Sequence, residues 1–176
     1  TAQEFKSGPF VIRYPRGKGY IVDWKQPMKK VKIGKGEQLK AGKDLAVITI
    51  GTMAHSAARA IEKVERENEI SIAHYDMRFL KPLDTEVLHE IASNFKQILT
   101  IEDGVINGGF GSAVLEFMAD NNYKLNVKRL GIKDTFVEHG TPEQLYNMLG
   151  LDAEGIAKSL LEYIDIQKHK IDFEIT

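Results

Sequence analysis

Cysteine is absent from the 176 residues. That excludes a disulfide framework and any thiolate metal site. No apolar run approaches the ~20 residues needed to span a bilayer, so no membrane partner is expected. The opening stretch TAQEFKSGPF carries no apolar core of signal-peptide type, and the expected location is the cytoplasm. The five histidines, at 55, 74, 89, 139 and 169, include no pair at the i, i+4 spacing of a helical metal site. There is no internal repeat and no low-complexity segment.

What is present fits one globular domain, or one domain with an arm. Hydrophobic residues make up 43% and charged residues 28%, which is ordinary for a soluble fold. The net charge of −1 conceals an asymmetry. Residues 1–43 carry eleven Lys/Arg against three acids, and the remainder carries 13 against 22. A basic arm therefore precedes an acidic body. Without interleaved aromatics on the arm, and with that body, nucleic acid is not the expected partner. A small anion is the sharper reading of the stretch VIRYPRGKG (11–19), where Arg13 and Arg16 flank a Tyr-Pro step.

Beyond residue 43 the pattern becomes periodic. LAVITI (45–50) and QILTI (97–101) are unbroken apolar runs, as strands buried on both faces require. ISIAHY (70–75) and NVKRL (126–130) read as two further strands. Between them, residues 53–67, 85–95 and 111–120 show helical spacing. TPEQ (141–144) is a capping box with proline at the first helical position, Gly150 closes that helix, and Asp152 opens the last one. Strand and helix alternate four times, which predicts an α/β fold with a mainly parallel sheet between two helical layers. In the arm, FVIRY reads as a possible strand and KKVKIGKGEQLKAGKD as a hairpin or extended segment. The tail DIQKHKIDFEIT is expected to fray or to return as an edge strand.

Such a sheet takes ligands beyond the carboxyl ends of its strands. The turns expected there are GTMAH, DMRFLKPLD, EDGVINGGFGS and GIKDTFVEHG. NGGFGS (107–112) lacks the third glycine of a dinucleotide loop and follows the third body strand, so a structural turn is the expected reading. Glu102 and Asp103 are acid–base candidates by type, yet adjacent strand residues point to opposite faces. Glu102 is therefore expected to anchor a loop or cross an interface. Ser112 has no nucleophile elbow, and His55 and His139 are strand-end histidines of undecided role.

The ordered set GPFVIRYPRG (8–17), DMRFLKPLD (76–84), GGFGSAVLEF (108–117), GTPEQL (140–145) and LGLDAEGIA (149–157) resembles the C-terminal part of the 1-deoxy-D-xylulose-5-phosphate synthase family, thiamine-diphosphate enzymes of the transketolase superfamily. The resemblance implies that residues 1–43 are the end of a pyrimidine-binding domain plus a connector. Residues 44–176 would be the C-terminal α/β domain. It implies a homodimeric transferase that joins pyruvate to glyceraldehyde 3-phosphate with loss of CO2, using thiamine diphosphate and Mg2+. The cofactor motifs belong to domains that this sequence does not contain, so the segment alone is expected to bind neither and to serve structure and dimerisation. The partners are then the missing N-terminal and pyrimidine domains of the same chain. The resemblance assigns the substrate phosphate to Arg16 and leaves Arg13 open between substrate contact and structural ion pair. The alternatives are another transketolase-type enzyme or 2-oxoacid dehydrogenase beta subunit, and a free-standing α/β interaction domain.

Overall fold

The computed structural model describes residues 1–12, 25 and 27–174, with side chains of the last helix described as far as Ile164. The chain divides into two compact units, Thr1–Ile33 and Gly34–Thr176. In the first, a short 3-10 turn, Ala2–Glu4, starts the chain. Lys30 pairs with Glu4, the Val31 N–H donates to Thr1 Oγ1 at 2.8 Å, and Phe5 meets Phe10 edge-on at 5.4 Å. Residues 10–12, the described part of the possible strand FVIRY, belong to no strand. Phe10, Val11 and Ile12 are exposed.

The second unit is built on five strands: β1 (Glu37–Lys40), β2 (Leu45–Thr49), β3 (Ile72–Asp76), β4 (Gln97–Val105) and β5 (Asn126–Ile132). Their spatial order is β1-β3-β2-β4-β5. β2, β3, β4 and β5 are mutually parallel and β1 runs antiparallel on the β3 edge. The helices are α1 (Met53–Glu67), α2 (Thr85–Asn94), α3 (Phe110–Asp120), α4 (Pro142–Leu149) and α5 (Ala153–Glu174).

β2 shows why an unbroken apolar run is needed. Its side chains alternate between faces. Leu45 and Val47 pack with Ala57, Ile61 and Val64 of α1 and with Ile156 and Leu160 of α5. Ala46 and Ile48 pack with Leu88 and Ile91 of α2 and with Phe110, Val114 and Met118 of α3. Both faces are fully buried. The result is the expected three-layer α/β sandwich with a mainly parallel sheet. α2 is capped by Asp84, and α4 carries the complete Thr141–Gln144 capping box and closes on left-handed Gly150.

Two elements differ from the sequence reading. Glu37–Lys40, read as part of the arm, is the antiparallel edge strand of the sheet. The residues from Asp165 to Glu174, read as a fraying or returning tail, continue α5 as helix.

Gly42, in the turn between β1 and β2, is required by space. A Cβ there would lie 2.1 Å from the Ala73 backbone nitrogen and 2.2 Å from the Ile72 carbonyl carbon. Backbone cannot swing aside as a side chain does. Gly42→Ala is therefore expected to cost about 1–3 kcal/mol by overpacking. Urea unfolding of the variant beside the parent chain measures this, and an unchanged midpoint would mean that the turn moves freely away from β3.

Candidate functional site

The parallel strands point their carboxyl ends at one edge of the sheet, and the turns named above gather there. Asp76 ends β3, and burial pushes its carboxyl above the ordinary carboxylate range. The Arg78 N–H donates to its Oδ1 at 3.1 Å and works the other way. The exposed His55, in the first turn of α1, also favours the ionised form. Arg78 has φ +56°, a left-handed conformation that is uncommon for a residue with a long side chain and that tends to mark functional turns. Its guanidinium pairs with Glu37 and lies 4.0 Å from Asp76. The guanidinium fork is thus engaged by two carboxylates of this chain. The sequence flagged the DMRFLKPLD turn but gave no sign of the strained backbone at Arg78.

Glu102 sits deeper, at 5% exposure. Its Oε2 accepts the Phe110 N–H and its Oε1 the Gly111 N–H, both at 2.8 Å. These are first-turn amides of α3, the groups that a helix N-terminus offers to a phosphate. The chain's own carboxylate fills that position, so NGGFGS does not form a phosphate loop here. Gly109 makes room for it, since a Cβ there would lie 2.1 Å from Oε2. Asp103 points elsewhere and accepts the Tyr146 O–H at 2.6 Å. The two acids are thus not a pair, and Glu102 is a loop anchor.

Ser112 is equally committed. Its Oγ donates to the Ile106 carbonyl at 3.1 Å, while the Gly108 N–H and Arg129 Nη1 donate to it. Nothing remains to activate it as a nucleophile. His139 is exposed in the loop before α4. His89 sits at the surface, with Nδ1 2.8 Å from the Tyr123 hydroxyl. Arg16, to which the resemblance assigns the substrate phosphate, and Arg13, left open between substrate contact and ion pair, lie outside the described residues. A hollow of about 470 Å³, lined by Lys96, Lys124, Leu125 and Asn126, is at the amino ends of β4 and β5. That is the wrong edge for a parallel-sheet ligand site.

Among the described residues no three His, Asp or Glu side chains come together as metal ligands. The sequence holds no Gly-Asp-Gly diphosphate motif, and Glu102 occupies the glycine-rich helix entry. These residues do not fit a metal–diphosphate group.

Four parallel strands with an antiparallel edge strand, packed between helical layers, define a three-layer α/β domain. Residues 34–156 match the family described as transketolase, C-terminal domain, and the chain belongs to that family. Two curated relatives, both named 1-deoxy-D-xylulose-5-phosphate synthase, come from Phocaeicola vulgatus and Bacteroides thetaiotaomicron. The first is 58% identical over 163 residues, 93% of this chain and 26% of its own length. The second is 55% identical over 166 residues, 94% of this chain and 26% of its own. The chain thus spans about a quarter of the length of these relatives. A solved structure described as a split-gene transketolase, inactive beta4 tetramer, is 34% identical with a TM-score of 0.70, over 76% of this chain and 43% of that one.

Proposed function

We propose that the chain is the C-terminal portion of a 1-deoxy-D-xylulose-5-phosphate synthase. The observation that carries this is the identity of 58% over 93% of the chain to a protein of that name. The whole enzyme then joins pyruvate to glyceraldehyde 3-phosphate with release of CO2, as a cytoplasmic homodimer. Thiamine diphosphate and Mg2+ supply the carbanion chemistry and are held by parts of the protein other than this one. The portion described here is non-catalytic alone. The segment up to Ile33 closes the pyrimidine-binding domain and leads into the C-terminal α/β domain, which includes the edge strand β1 and therefore starts at Gly34 rather than at residue 44. Arg16 holds the phosphate of glyceraldehyde 3-phosphate, a task suited to an always-charged bidentate donor. Arg13 either shares it or makes a structural ion pair.

Kinetics of the full-length protein, with each substrate varied separately, test the reading. A phosphate far from the reacting carbons is bound alike in substrate and transition state. Losing one charge-assisted contact costs about 1.5–3 kcal/mol, roughly tenfold to a hundredfold. Arg16→Ala is expected to raise KM for glyceraldehyde 3-phosphate by that factor and to leave KM for pyruvate nearly unchanged. Arg16→Lys restores part, since it keeps the charge and loses the fork. Arg13→Ala separates its two roles: a lowered melting temperature with unchanged KM makes it structural. Equal weakening of both substrates by Arg16→Ala removes the phosphate from that arginine. A full-length protein without synthase activity removes the reading itself.

A further inference from the structure

Asp84 does more than an N-cap requires. A capping side chain needs one oxygen for one first-turn amide, and the rest of the group faces water. Here Oδ1 accepts the Val87 N–H at 3.4 Å, the capping bond, yet the residue is 2% exposed. Oδ2 accepts the Gly36 N–H at 2.9 Å, from a segment 48 residues earlier. Lys35 Nζ donates to Oδ1 at 3.3 Å and reaches Glu86 at 2.5 Å. Burial pushes the Asp84 carboxyl up, but the Gly36 and Val87 amides and the Lys35 ammonium outweigh it and hold the group below its ordinary value.

The neighbours of Gly36 are attached to the same loop. Glu37 pairs with Arg78. Gly34, at φ +72°, lies so close to Pro82 that a Cβ would meet Pro82 Cγ at 2.6 Å. Residues 34, 35, 36 and 37 therefore all rest on the stretch from Arg78 to Glu86. The Glu37–Arg78 pair, with side chains 50% and 35% exposed, holds little by itself, because water screens it and two long side chains must be ordered. The part-buried bond from Gly36 to the buried Asp84 is what fixes the backbone that presents Glu37.

We propose that residues 34–37 and 78–84 form a clasp in which Asp84 is the positioning residue. It fixes the path by which residues 34–37 join the sheet and, through Glu37, steers the Arg78 guanidinium at the carboxyl edge. This goes beyond the proposed reaction and does not depend on it.

Asp84→Asn separates the cap from the clasp. The amide oxygen still accepts the Val87 N–H, while an NH2 group replaces the acceptor for Gly36. Two measurements on the 176-residue chain read the result: amide hydrogen exchange, and labelling of arginines by phenylglyoxal followed by peptide mass spectrometry with exposed Arg59 as reference. Loss of one charge-assisted bond predicts exchange at Gly36 and Glu37 about tenfold faster or more, with α2 much less affected. Labelling of Arg78 rises relative to Arg59. Glu37→Gln, at an exposed position that does not threaten folding, is expected to raise Arg78 labelling while Gly36 stays protected. Unchanged exchange at Gly36 in Asp84→Asn, loosening spread equally over α2, or Arg78 labelling unchanged by Glu37→Gln would each overturn the clasp.

Discussion

Replacing Glu102 by alanine is expected to cost about 4 kcal/mol of folding stability, since two charge-assisted hydrogen bonds are lost and two buried amides are left without acceptors. The side chain is 5% exposed, so water does not reach the Phe110 and Gly111 N–H groups without rearrangement of the turn. The positive end of α3 also loses the carboxylate opposite it. At roughly 2–4 °C per kcal/mol for a chain of this size, the melting temperature falls by about 8–16 °C. Glu102→Gln should lose less. Its oxygen serves one amide, but its NH2 group faces the other donor. Thermal unfolding of the three proteins decides the matter. A loss below about 1 kcal/mol for the alanine variant would mean that a water molecule caps the helix as well as the carboxylate does. A small loss for alanine with a large one for glutamine would mean that the pocket relaxes once the side chain is gone.

The anchor shows where sequence reading stops. That Glu102 and Asp103 point apart follows from strand geometry alone, and Tyr146 on Asp103 against the α3 amides on Glu102 bears it out. Which amides Glu102 meets depends on how the turn of residues 106–109 folds back, and no periodicity encodes that. The central strands were legible because burial on both faces demands apolar residues at every position, as Leu45 to Ile48 display. β1 was not, because an edge strand of sequence EQLK is largely exposed and gains its place from backbone pairing to β3. The tail of α5 was misread for a related reason: charges interrupt its apolar spacing, and only continuity of the helix carries it on to Glu174. At the carboxyl edge the turns were legible as places. Strained Arg78 and doubly bonded Asp84 were not, since both depend on contacts between segments far apart in the chain.

Acid is expected to destabilise the domain through His74. The residue lies on β3 in the middle of the sheet and is 1% exposed. Thr49 Oγ1 gives its one proton to the Tyr75 carbonyl at 3.1 Å. It must therefore accept from His74 Nε2, 3.0 Å away, which places the ring proton on Nε2. Burial, with a smaller push from the Lys40 ammonium, lowers the histidine from its ordinary 6.5 to about 4. Between those values the unfolded chain binds a proton that the folded chain refuses, so stability rises with pH across that window. The contribution is fully present above pH 6.5 and is lost as pH falls towards 4. At about 1.36 kcal/mol per unit, the whole loss is about 3 kcal/mol. Asp84 adds a loss only in more acid solution, because its carboxyl is held below the ordinary value of 3.8. Asp76, raised above 3.8, acts in the opposite sense. Urea unfolding at intervals from pH 4.5 to 8 measures the slope while keeping Asp84 ionised. His74→Gln is expected to be less stable at pH 8, because a flexible amide replaces a packed ring, and to show little slope between 4.5 and 6.5. If the slope survives in that variant, exposed histidines or carboxylates carry it. If the parent chain itself shows none, then the ring accepts a proton in place, and the sheet around Thr49 and Tyr75 opens to let it do so.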